Sequence, residues 1–204
     1  NRMSKVKITV LKRLDPKAMS GAFIGVPCVT PFGFQFGMRT NPVDEDWVAP
    51  HYPGKADGIL SERIAKTIWD NCVMQADTVM DLHSNFKPAL NFCLVPKIAD
   101  EKVSAEALRL ARLCGVTTIQ TEEQARPREA TIITSIRVLA MQEGKPALCL
   151  EGNGSNTMDQ EDVDVMVRGI LNICKGMKII EGAIEEQKGI RVVRPRPNMK
   201  FVPI

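Results

Sequence analysis

The 204 residues carry 27 lysines and arginines against 24 acidic residues. The resulting net charge of +3 is too small a surplus to direct the chain to nucleic acid or to an anionic membrane surface. With 44% apolar residues, a chain of this length buries about 70% of its unfolded surface and folds without needing disulfides or metal. No run approaches the ~20 apolar residues of a membrane-spanning helix, and no signal-peptide pattern is present. The six cysteines, at positions 28, 72, 93, 114, 149 and 174, form no C-x-x-C pair and sit mostly among apolar neighbours. They read as reduced, buried thiols of a cytoplasmic protein. One domain over residues 1–204 is expected. Because the first residue is Asn1 rather than Met, truncation of a longer polypeptide is a further expectation.

Residues 4–11 alternate polar and apolar side chains, a pattern that fits a strand and leaves a short helix open. After Asp15-Pro16 comes Ala22 to Val29, continuous and β-prone, as expected of a central strand covered on both faces. Thr30 to Asp57 is crowded with Pro and Gly and reads as a long functional loop. Ser61 is placed to cap a helix running to about Gln75, with Glu62 in its first turn. Ala76 to Leu82 reads as a buried strand ending at His83. Ile98 to Cys114 is a predicted helix closed by Gly115, and Val116 to Gln120 a strand. Glu129 to Glu143 is a predicted helix, and Pro146 to Leu150 a strand ending at Glu151. Asp159 to Cys174 is the last helix, with strand-like segments at 177–180 and 190–193. Alternating strands and helices imply a covered, mostly parallel sheet. Ligands gather at the carboxyl ends of such strands, where His83 and Glu151 both stand.

The chain holds two histidines, His51 and His83. In Asp81-Leu82-His83-Ser84, a histidine leaving a strand can offer one ring nitrogen to a metal. A hydrogen-bonded histidine at a strand end is the plainer alternative. Glu151 closes a run of mostly apolar residues, where burial of a carboxylate is costly without partners. Beside a metal-activated water it would pass a proton from the water to a leaving amine; otherwise it is a solvated loop acid. Arg137, on a predicted helix, can pair with a carboxylate or polarise a carbonyl, and Arg39, in the loop Arg39-Thr40-Asn41-Pro42, has its direction set by that loop. Each is otherwise a surface cation.

In their order these elements resemble the succinylglutamate desuccinylase/aspartoacylase family, relatives of the zinc carboxypeptidases. The resemblance rests on Val26-Pro27 to Pro31, Arg39-Thr40-Asn41-Pro42, Tyr52-Pro53-Gly54, Ser61-Glu62-Arg63, Asp81-Leu82-His83-Ser84, and Arg137 with Pro146-Ala147-Leu148 and Glu151. It implies a carboxypeptidase-like three-layer α/β/α sandwich with a mixed, mostly parallel central sheet. It also implies zinc as cofactor, His83 as the third metal ligand, Glu151 as the catalytic acid/base, and Arg39, Asn41 and Arg137 as substrate-binding residues. The partner implied is a small-molecule N-acyl substrate, with neither nucleic acid nor membrane.

The chain also departs from the family. The first two zinc ligands there lie in a Gly-x-His-Gly-x-Glu segment that is absent here. His51 and His83 are followed three residues on by Gly54 and Phe86, so no His-x-x-Glu occurs. Ala49 and Pro50 stand near the family's Asn-Arg pair. Two functions follow as expectations. One is a zinc-dependent deacylase cleaving the amide of an N-acyl amino acid. The other is a catalytically incomplete relative that does not hold zinc tightly. A cysteine-dependent enzyme has no Cys/His pair to nominate it. An opened sheet edge also leads to the expectation of a homo-oligomer.

Overall fold

The computed structural model describes residues 2–84, 90–122, 135–153, 160–186 and 191–193. Helix α1 spans Arg2–Arg13. Met3, Val6, Val10 and Leu14 are all buried and recur every three or four positions, which settles the opening segment as a helix.

Ala22 to Val29, expected as a central strand, is not a strand in the structure. Extended backbone becomes a strand only when its amides and carbonyls find a ladder partner, and no ladder includes this segment among the described residues. A five-residue helix, α2 (Pro31–Gln35), then opens the long loop. Helix α3 spans Leu60–Ile68 with Ile59 as its cap residue. The Ile59 amide donates to Glu62 Oε2 at 3.1 Å. Ser61, expected as the cap, lies inside the first turn instead. Its amide and hydroxyl donate to Asp44 at 2.6 and 3.0 Å, so a loop carboxylate satisfies a helix-start amide in place of a serine cap. The chain then widens into a π-helix over Trp69–Val73, ending near the expected boundary.

The remaining elements follow in order. Strand β1 is Val79–Ser84 and β2 is Phe92–Lys97. Helix α4 is Glu101–Leu113, capped by the Asp100 carboxylate and closed by Gly115 at φ +71°, a conformation glycine adopts without strain. Strand β3 is Thr117–Glu122. Helix α5 is Ile136–Gln142, capped by Ser135; the predicted start at Glu129 lies outside the described residues. Strand β4 is Ala147–Gly152, helix α6 is Gln160–Gly176, and β5 is Val192–Val193. Strand β2 was not foreseen, and Pro96 within it is an ordinary argument against a central strand. Residues 177–180, expected as a strand, are a turn that closes α6. The Ile179 amide there donates to the Cys174 carbonyl at 2.8 Å.

The sheet order is β1-β4-β2-β3-β5. Only β2 and β4 run antiparallel; the other neighbours are parallel, so the sheet is mixed and mostly parallel as expected. Side chains alternate between faces along each strand. Gly152 lies against Met3 of α1 and Met166 of α6, which places those helices on the face shared by Leu148 and Leu150. Asp81 of β1, paired in register with Cys149, points to the opposite face, where Arg137 of α5 reaches it. Helices therefore cover both faces, the three-layer arrangement. Leu148, Leu150, Met166, Ile170 and Ile173 are each at most 1% exposed. Each such side chain contributes about 1.5–3 kcal/mol through burial.

Candidate metal centre

The register of β1 against β4 creates the site. Asp81 faces Cys149 and His83 faces Glu151. Because residues two apart on a strand share a face, the four side chains form a square on one side of the sheet. The His83 ring donates from Nε2 to Asp81 Oδ2 at 2.9 Å, and its Nδ1 stands 3.7 Å from Glu151 Oε1. Cys149 Sγ donates to the same Glu151 oxygen at 3.5 Å. Arg137 Nη1 lies 3.4 Å from Asp81 Oδ2. The Nε of Arg137 is buried without a hydrogen-bond partner, an arrangement that costs free energy unless something fills it.

Electrostatics bind these groups together. Burial opposes the Asp81 carboxylate. The His83 hydrogen bond outweighs it with the positive charges of His83, Arg137 and Lys7, and the Asp81 pKa lies below its usual value. The Asp81 hydrogen bond raises the His83 pKa against the opposing effect of burial. With Nε2 committed to Asp81, the free ring nitrogen is Nδ1, and it points toward Glu151. This is the carboxylate–histidine arrangement that fixes a metal-ligating ring. Donor atoms of Asp81, His83 and Cys149 also lie within 4.8 Å of one another. A cation among those three is disfavoured, because Arg137 already places a positive charge on Asp81 and burial drives the Cys149 thiol pKa well up. The Nδ1 side of the ring, facing Glu151, is the better ligand position. One histidine fits one place in a zinc shell; a catalytic zinc takes three protein ligands, and the described residues supply no complete set.

Of the sequence-nominated residues, the structure brings His83, Glu151 and Arg137 into one cluster, with Asp81 as the link. Of that cluster, Asp81 and His83 line a cavity, and Glu151 and Arg137 do not; Arg39 lines the same cavity, stacked 4.1 Å from the Trp47 ring. This cavity, of about 520 Å³, is lined by residues 22–26 and 78–83 among others, with Arg39 and Lys7 on its wall. Asn41 is 1% exposed and does not line the cavity. Its Oδ1 accepts from the Val43 amide at 3.3 Å, and its backbone bridges to Asp46. His51 also serves the loop: its Nε2 lies 3.0 Å from Asp46 Oδ2, and Lys55 holds Glu62 at 2.7 Å.

Sequence reasoning missed Cys149 and Lys7 as members of this neighbourhood. Cys149 carries a signal in its position two residues before Glu151, which the alternation of a strand places on the same face. Lys7 carried none while its segment's structure was open.

Residues 7–177 match the succinylglutamate desuccinylase/aspartoacylase catalytic domain. That is most of the chain, and the protein belongs to this family of deacylases. It is 27% identical over 186 residues to the N-alpha-acetyl-L-2,4-diaminobutyric acid deacetylase of Halomonas elongata, an alignment covering 87% of this chain and 52% of the relative. The succinylglutamate desuccinylase/aspartoacylase crystal structure from Rhodobacter sphaeroides superposes with a TM-score of 0.82 at 24% identity, over 95% of this chain and 59% of the other. The product-bound ectoine utilization protein EutE (DoeB) from Ruegeria pomeroyi gives 0.82 at 18% identity, over 97% and 59%. These likenesses establish the carboxypeptidase-like fold. The chain spans about half the length of the curated relative it matches.

Proposed function

We propose that the whole protein is a zinc-dependent deacylase that hydrolyses the amide of an N-acyl amino acid or a related small molecule. The carrying observation is the His83 Nδ1 atom 3.7 Å from Glu151 Oε1, with the opposite ring nitrogen tied to Asp81. Zinc, when bound, supplies the Lewis acid that brings the pKa of water to about 7 and polarises a carbonyl. His83 would hold it from within this chain, and the other ligands would come from polypeptide beyond these residues. Glu151 takes a proton from the attacking water and returns it to the departing amine. Asp81 keeps the His83 ring in one orientation. Arg39 binds substrate oxygen atoms at the cavity and Arg137 does so from beside Asp81, with Asn41 supporting the Arg39 loop. The chain acts as a single catalytic domain, and its six cysteines, none in a disulfide, support a reducing, cytoplasmic setting.

The test is metal content and hydrolysis of N-acetyl amino acids by the protein extended beyond these residues. Zinc at one ion per site, and activity lost in Glu151→Gln, are the expected results. Absence of zinc together with unchanged activity in Glu151→Gln would refute the proposal.

A second reading concerns the 204 residues in isolation: a folded relative that does not bind zinc tightly. It is favoured by the single ligand position that His83 offers and by the positive charge of Arg137 beside Asp81. Calorimetric titration of zinc into this chain is expected to show weak binding; tight binding would overturn this reading.

A further inference from the structure

Glu151 is 13% exposed on its side chain, and among the described residues two groups hold its carboxylate. One is His83 Nδ1 at 3.7 Å; the other is the Cys149 thiol at 3.5 Å, on the same oxygen, Oε1. The first contact belongs to the ring nitrogen offered to metal, so it is lost whenever that nitrogen ligates. The thiol then remains as the sole described donor on the carboxylate. Its position is fixed by the fold: Cys149 is fully buried, central in β4, and paired in register with Asp81 of β1.

We propose that Cys149 is a positioning residue for the proposed deacylation, its S–H anchoring Glu151 Oε1 so that the other carboxylate oxygen is left to exchange the proton with water. This rests on the deacylase reading above. Burial, and the negative charges of Asp81 and Glu151, push the thiol pKa well up. The sulfur therefore stays protonated and acts as a donor to the carboxylate. A thiol is a weak donor. It biases the direction of the carboxylate and leaves the second oxygen open to water. Valine at this position replaces the thiol with methyl groups, at the cost of slight overpacking, and leaves Glu151 unheld.

Two measurements on the intact protein test this. In the zinc-loaded protein, Cys149→Val is expected to lower kcat by about fivefold with KM within about twofold, the signature of an interaction used in the chemical step. Cys149→Ser, which restores a donor, is expected to recover most of that loss. In the metal-free protein, the S–H stretching band of Cys149, identified by its disappearance in Cys149→Ser, is expected to move to higher frequency in Glu151→Leu as the hydrogen bond is lost. An active enzyme whose Cys149→Val variant keeps wild-type kcat, or whose S–H band does not respond to Glu151→Leu, overturns the assignment of Cys149. A protein that shows the band shift but hydrolyses no N-acyl substrate removes the deacylase reading, and with it the catalytic meaning of the bond.

Discussion

Asp81 stands between His83 at 2.9 Å and Arg137 at 3.4 Å, and both neighbours depend on its charge. Its removal frees the ring that the proposed metal needs. In the intact protein, Asp81→Asn is expected to weaken zinc binding about 10- to 100-fold, measured by chelator competition, while the protein still folds. The Asp81–His83 pair also sets a pH dependence in the metal-free chain. The His83 pKa is raised, so its contribution is full below the free-chain value of about 6.5 and is lost as pH rises through the folded value. The Asp81 pKa is lowered, so its contribution is present above about 3.9 and is lost as pH falls through the folded value. The pair therefore stabilises most between about pH 4 and 6.5. His83 is 45% exposed, so solvent screens the effect and it is modest. Urea midpoints that fall between pH 6 and 9 in the wild type, and do so less in Asp81→Asn, are the expected outcome.

Among the elements, the long loop gains order from polar anchors on α3. Asp44 accepts two bonds from Ser61, and the Lys55 amide donates to the Glu62 carbonyl at 3.2 Å. Gly54 sits between these contacts at φ +89°, where an added Cβ would collide with the Lys66 amide and the Glu62 carbonyl. Both the backbone angle and the collision forbid a side chain. Gly54→Ala is expected to cost about 2–4 kcal/mol, read from chemical unfolding. Helix α6 is held by the core instead: Ile170 is 1% exposed, and Ile170→Ala is expected to cost about 2–5 kcal/mol by leaving a cavity. The two variants should differ at Arg39, whose loop is loosened only by the first; reduced quenching of Trp47 fluorescence by Arg39 would report it.

At the level of the whole molecule, β1 is an edge strand among the described residues, and residues 22–26 line the same cavity as residues 79–83. Unpaired strand edges recruit further chains. Phe32, Phe34 and Phe36 add apolar surface, at 53%, 50% and 66% exposed. Light scattering on these 204 residues is therefore expected to give a mass above that of one chain. A clean monomer would show that the edge is protected by its own surroundings.

The sequence by itself determined the α/β class, the extents of α4 and α6 to within a few residues, the end of α5, and the placement of His83 and Glu151 near strand ends. Those features are local: glycine at a positive φ and apolar runs carry their own physical reason within a few residues, whereas the α3 cap does not follow from Ser61 because Asp44 of the loop takes its amide. It also carried the family resemblance, which nominated Arg137 and Arg39. Tertiary structure decided what depends on partners distant along the chain. Ala22 to Val29 has the composition of a strand but finds no ladder neighbour among the described residues, and it is not a strand. Phe92 to Lys97 includes a proline and is a strand because β3 and β4 flank it. The His83–Glu151 and Asp81–Cys149 pairings exist only because β1 and β4 align in one register, and a one-residue shift of β1 would turn Asp81 and His83 to the face opposite Cys149 and Glu151.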